Sequence, residues 1–132
     1  MAIHNMNSAL NHYRQNTIAS AAVETDPRKL IEMLLGGAID RLAHGRGSMM
    51  RGDVRGKHHN IGSAIAIIEH LQLVLDFNAG GEIARNLQRL YDYMLRRLAM
   101  ASTQDDPDGV DEVLGLLRDI KSGWDAMPAP SR

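Results

Sequence analysis

Ile83, Leu87, Leu90, Met94 and Leu98 recur at spacings of three and four residues. That spacing sets all five on one stripe of an α-helix. Three further stripes share the period. Ile31, Leu35, Ala38, Leu42 and Met49 form one, widened by Leu30 and Leu34. Ile61, Ile65, Ile68 and Leu75 form another, with Leu71 beside them, and Val110, Val113, Leu117, Ile120 and Trp124 form the last. No segment alternates apolar and polar residues as a strand does. A chain of 132 residues holds one core. Four one-sided helices on one core predict an all-α fold, an antiparallel up-down-up-down four-helix bundle.

The punctuation between stripes sets the boundaries. Asp26-Pro27 reads as N-cap and first helical residue, since the carboxylate accepts orphan N–H groups and proline sits where none is needed. The first helix is expected over 27–50, a rod of ~35 Å. Gly45, Gly47, Gly52 and Gly56 weaken helix around the first turn, with Gly52-Asp53 the expected break. The second helix is expected over 54–77, ended by Asn78-Ala79-Gly80-Gly81, and the third runs to about Ala101. Asp105-Asp106-Pro107 repeats the cap-then-proline signature, and Pro128-Ala129-Pro130 stops the fourth helix. The bundle domain thus covers 25–127, followed by a frayed tail over 128–132. Residues 1–24 are polar, with apolar anchors at Met6, Leu10, Tyr13 and Ile18. One or two turns of helix are marginal alone in water, so this N-terminal arm is expected to order only by docking.

Chemistry is conspicuous by its absence. There is no cysteine, hence no disulfide or thiol reaction, which fits a reducing compartment. None of the glutamates begins the Glu-x-x-His pair of bundle di-metal sites. His58 and His59 are adjacent and diverge on a helix, which is poor for chelation. Gly52-x-x-x-Gly56-Lys57-His58 departs from a phosphate loop in spacing and in its last residue. Nothing joins a nucleophile to a base and an orienting group. The expectation is no enzyme, no metal and no cofactor. With a formal charge of −1, no global field draws nucleic acid. The N-terminus has no secretory pattern, and the apolar run over 60–68 is far short of the ~20 residues of a membrane span. A cytoplasmic protein without membrane insertion is expected.

Two features remain. Residues 41–57 carry Arg41, Arg46, Arg51, Arg55 and Lys57 against Asp53, while 105–112 carry Asp105, Asp106, Asp108, Asp111 and Glu112 and no base. In an up-down bundle these turns share one end and should compensate each other. There is also surplus apolar surface off the main stripes, at Met33, Ile39, Ile67, Val74, Tyr91 and Leu95. It suits either a broad core or a groove for an amphipathic segment of a partner.

Three segments resemble a known family. Gly80-Gly81-Glu82-Ile83-Ala84, Asn86-Leu87, Leu90-Tyr91-Asp92-Tyr93-Met94 and Arg96-Arg97-Leu98 resemble the third helix of the flagellar secretion chaperones, FliS. Asp26-Pro27-Arg28-Lys29-Leu30-Ile31-Glu32-Met33-Leu34 resembles that family's S-P-x-x-L-I-x-M-L segment, and Tyr13-Arg14-Gln15 its tyrosine-bearing arm. The resemblance covers roughly residues 12–124. It implies a chaperone that binds the disordered C-terminal segment of flagellin, prevents premature polymerisation and delivers it to the flagellar type III export apparatus. Carried over, Tyr13 is the arm tyrosine, with Leu10 and Ile18 as further anchors. The groove candidates are Leu34, Leu71, Leu75, Leu87, Leu90, Tyr91 and Met94. Leu87 is expected to support the core and Tyr91 to border the groove. Leu35-Gly36-Gly37-Ala38 departs from a family pattern that often has an aromatic and an acid before Gly-Ala. The extra glycine costs helix roughly 1 kcal/mol. The residues alone leave open a helical adaptor or regulator for a folded partner, as well as the oligomeric state.

Overall fold

A computed structural model describes residues 26–128. The arm over 1–24 and the last four residues lie outside them. Among the described residues there are four helices and no strand: α1 Pro27–Met50, α2 Val54–Leu73, α3 Phe77–Gln104 and α4 Pro107–Ala126. Each packs against its neighbours in sequence, and α1 closes the square against α4. The architecture is the expected four-helix bundle.

Every helix starts on an aspartate. The side chains of Asp26, Asp53, Asp76 and Asp106 accept from the backbone N–H of Arg28, Gly56, Ala79 and Asp108 at 2.9–3.1 Å. Each such cap contributes about 1 kcal/mol. Asp76 corrects the expected second junction. α2 ends at Leu73, not Phe77, and Val74 and Leu75 turn back through N–H bonds to the carbonyls of His70 and Gln72. Asp76 then launches α3 four residues before the Gly-Gly pair. That pair lies inside α3 as a kink, where Gly81 takes φ 50°, ψ −120°, a conformation open to glycine and little else.

The core is aliphatic apart from one ring. Leu34, Leu35, Ala38 and Leu42 of α1 meet Ile61, Ala64, Ile68 and Leu71 of α2, Met94 and Leu98 of α3, and Val110, Val113 and Leu117 of α4. On α3 the buried line is Ala84, Tyr91, Met94, Leu98 and Ala101. This corrects the stripe drawn through Ile83 and Leu90. Ile83 is 70% exposed and Leu90 half-buried, because small alanines hold the true register and turn both leucine-sized neighbours toward the edge. Ile67, read as surplus, is core as well. α1 and α2 make the broadest contact, helped by Gly45, where a Cβ would sit 2.8 Å from Ile61 Cγ1.

Candidate functional site at one end of the bundle

The up-down topology gives the bundle two ends of different character. At the first lie the α1–α2 and α3–α4 turns. Here Arg46 Nε donates to Asp111 Oδ1 at 2.6 Å, so the basic and acidic turns meet as expected. Lys57 goes further than a solvated turn residue. It is buried, and its ammonium donates to the Ser102 carbonyl at 3.0 Å and to Asp105 Oδ1 at 2.8 Å. It thereby holds the C-terminus of α3, where Asp105 takes a left-handed φ of 51° and Asp106 N–H bonds back to Ala101. Arg97 spans Asp106 and Glu112, and the Tyr93 hydroxyl donates to Glu112 at 2.5 Å. These bonds hold the Glu112 carboxyl below its ordinary value, the Tyr93 bond first and Arg97 second.

At the other end the start of α1, the α2–α3 turn and the end of α4 enclose an apolar pocket. Ile31, Leu71, Val74, Leu75, Leu87, Tyr91, Ile120 and Trp124 line it, drawn from all four helices and the turn. Its polar capacity is slight. Burial alone pushes the Tyr91 hydroxyl up to about 12, so at neutral pH it is a neutral phenol and no base. The Trp124 indole N–H already donates to the Arg28 carbonyl at 3.3 Å. In return the Arg28 guanidinium donates to the Trp124 carbonyl in the last turn of α4 at 3.3 Å, and to the carbonyls just beyond that helix, Met127 and, at 2.7 Å, Pro128. These carbonyls lie at a helix C-terminus, where a cation also suits the helix dipole. The start of α1 and the end of α4 are therefore tied by a two-way latch beside the pocket. Outside the pocket the apolar surface continues. Leu73 is 80% exposed next to Val74, Ile83 lies one turn before Leu87, and Phe77 is 41% exposed at the start of α3. The cavity holds about 40 Å³, far below the roughly 300–1,000 Å³ of small-molecule sites. This is contact surface, not a reaction chamber.

The model of one protein family, Flagellar protein FliS, matches residues 6–131. The chain belongs to the FliS family. It is 44% identical over 119 residues to the flagellar secretion chaperone FliSB of Pseudomonas aeruginosa, covering 90% of this chain and 94% of that one. It is 42% identical to the FliS of Salmonella typhimurium over 89% of this chain and 87% of the relative, and 37% identical to that of Vibrio cholerae over 93% and 90%. The family is one of flagellar secretion chaperones and not of enzymes. Among the described residues of this member, no helix is long and apolar enough to cross a membrane.

Of the groove candidates, the structure brings Leu71, Leu75, Leu87 and Tyr91 together in the pocket wall. Leu34 and Met94 are fully buried in the core, and Leu90 is half-buried on α3 outside the pocket. Leu10, Tyr13 and Ile18 lie outside the described residues. The roles expected for Leu87 and Tyr91 are reversed in burial: Tyr91 is 2% exposed and Leu87 only half-buried. Ile31, Ile120 and Trp124 of the wall were read as ordinary stripe residues, and Val74 as surplus. Their place at the ends of stripes, where the opposite helices run out of core, was the available signal.

Proposed function

We propose that this protein is a cytoplasmic export chaperone for flagellin. It binds the disordered C-terminal segment of flagellin, blocks premature polymerisation and delivers the subunit to the flagellar type III export apparatus. The supporting observation is the open end: a lined apolar pocket running into exposed Leu73, Phe77 and Ile83, on a member of a family of secretion chaperones. Exposed apolar area of this kind suits a client that brings its own apolar face and folds on contact. Such coupled folding buries ~1,000–3,000 Å² and leaves a large negative heat-capacity change.

The arm, with Leu10, Tyr13 and Ile18, competes for the same surface. If it is docked in about 90% of free molecules, apparent affinity drops about tenfold. Deleting residues 1–16 then tightens client binding. Calorimetry with intact flagellin and with flagellin lacking its C-terminal ~40 residues, an order-of-magnitude length for a wrapping segment, tests the client. Stoichiometric binding that vanishes on truncation supports the reading. Equal binding of both forms, with a small heat-capacity change, sinks it in favour of an adaptor for a folded partner.

A further inference from the structure

The pocket is small, and its size carries information. Its room is about 40 Å³, whereas a dry cavity that accepts benzene is on the order of 150 Å³. The branched end of an aliphatic side chain fits; a ring does not. The lining offers little to a charged or amide group, since the Trp124 N–H is already engaged and the Tyr91 hydroxyl is the one other polar side-chain group among the lining residues. An unpaired polar group placed there would lose its hydration without compensation. Water is a poor occupant for the same reason. The width is not left to chance either. Trp124 forms one wall, and the latch to Arg28 fixes both its indole N–H and the helix end that carries it. Two of its lining residues have exposed apolar neighbours along the chain: Ile83 lies one turn before Leu87, and Leu73 is next to Val74. A segment lying along these exposed residues would pass one side chain over the opening.

We propose that this pocket is the anchor slot of the chaperone: it takes one leucine, isoleucine or valine side chain of the client segment and rejects aromatic ones, with Trp124, held by Arg28, setting the width. The proposal rests on the client reading above and deepens it. Anchor side chains in closed pockets carry a disproportionate share of binding free energy. One client position should therefore dominate.

The test uses the full chain and Trp-free peptides spanning the flagellin C-terminal segment, each Leu, Ile and Val replaced in turn by Phe and by Ala. Trp124 is the sole tryptophan, so its emission reports occupancy of the slot. At one position both replacements should weaken binding by about tenfold or more, the size expected of an anchor. Leu75→Ala, which enlarges the slot, should then recover the Phe peptide but not the Ala peptide. Val74→Ala provides the same readout should Leu75→Ala lower the melting temperature. Tolerance of Phe at every position, or no recovery in either enlarged variant, overturns the slot and leaves the client reading standing. An emission shift that follows chaperone concentration instead of peptide would seat a second copy in the slot and overturn it too. If no flagellin segment binds the unmodified chain, the client reading falls and the slot with it.

Discussion

The two ends of the bundle solve the same problem in opposite ways. Wherever four helices stop, their terminal polar groups and apolar stripes must be finished. One end is finished with charge: Lys57 on the α3 carbonyls, Arg46 on Asp111, and Arg97 between Asp106 and Glu112. The other is finished only in part, by the Arg28–Trp124 latch, and leaves an apolar pocket and strip without a cover among the described residues. A bundle built for stability alone would seal both. That difference is why we propose the unfinished end as the client-binding one.

The largest effect should separate core from surface within the open end. Tyr91→Ala removes a buried ring and should cost about 3–5 kcal/mol, against about 1–2 for half-buried Leu87→Ala. Chemical denaturation of both variants checks the ranking. At the sealed end Lys57→Ala should cost roughly 1.5–3 kcal/mol, because a buried ammonium bonded to a carbonyl and a carboxylate is lost. Arg46→Ala, which breaks a pair exposed on both sides, should cost clearly less than Lys57→Ala. Salt should erode the Arg46 contribution more than the Lys57 one. Between the ends, two glycines of α1 make a paired test. Gly45→Ala overpacks Ile61 and should destabilise by about 1–3 kcal/mol, whereas Gly36→Ala meets nothing within 4 Å and should stabilise by about 0.5–1. Thermal melts of the pair read both signs.

The smallest effect concerns acid. The Glu112 carboxyl sits below its ordinary 4.5, through Tyr93 first and Arg97 second. A depressed carboxyl contributes stability that is present above pH 4.5 and is lost as the pH falls through its lowered value. Glu112→Gln should remove that part of the acid slope in melting temperature against pH and leave the slope near neutral pH unchanged.

Local chemistry made much of this readable in advance. Asp26-Pro27 and Asp106-Pro107 announce two helix starts, because a carboxylate cap and a proline that needs no donor leave few other conformations. The facing of Arg46 and Asp111 followed from topology alone. Asp76 was missed because Gly80-Gly81 is the louder signal of a helix end, although a single capped turn fits in front of it. The depth of Tyr91 was missed because Leu90 is the more obvious apolar residue, while Ala84 and Ala101, which fix the register, look unremarkable. The pocket was only half legible. Leu71, Leu75, Leu87 and Tyr91 were candidates by resemblance, but Ile31, Ile120 and Trp124 join them only when four helix ends are brought together in space.

The central claim is that the open end and not the sealed end binds the client. Leu73→Ser with Ile83→Ser alters exposed residues at the open end, and Met50→Ser with Val54→Ser alters comparably exposed ones near the α1–α2 turn. Both double variants should melt within a few degrees of the parent, as surface changes within about ±0.5 kcal/mol do. Titration calorimetry with flagellin should then show the open-end variant weakened by about tenfold or more and the sealed-end variant unchanged. Unchanged affinity at the open end, or loss confined to the Met50 and Val54 variant, would contradict the account.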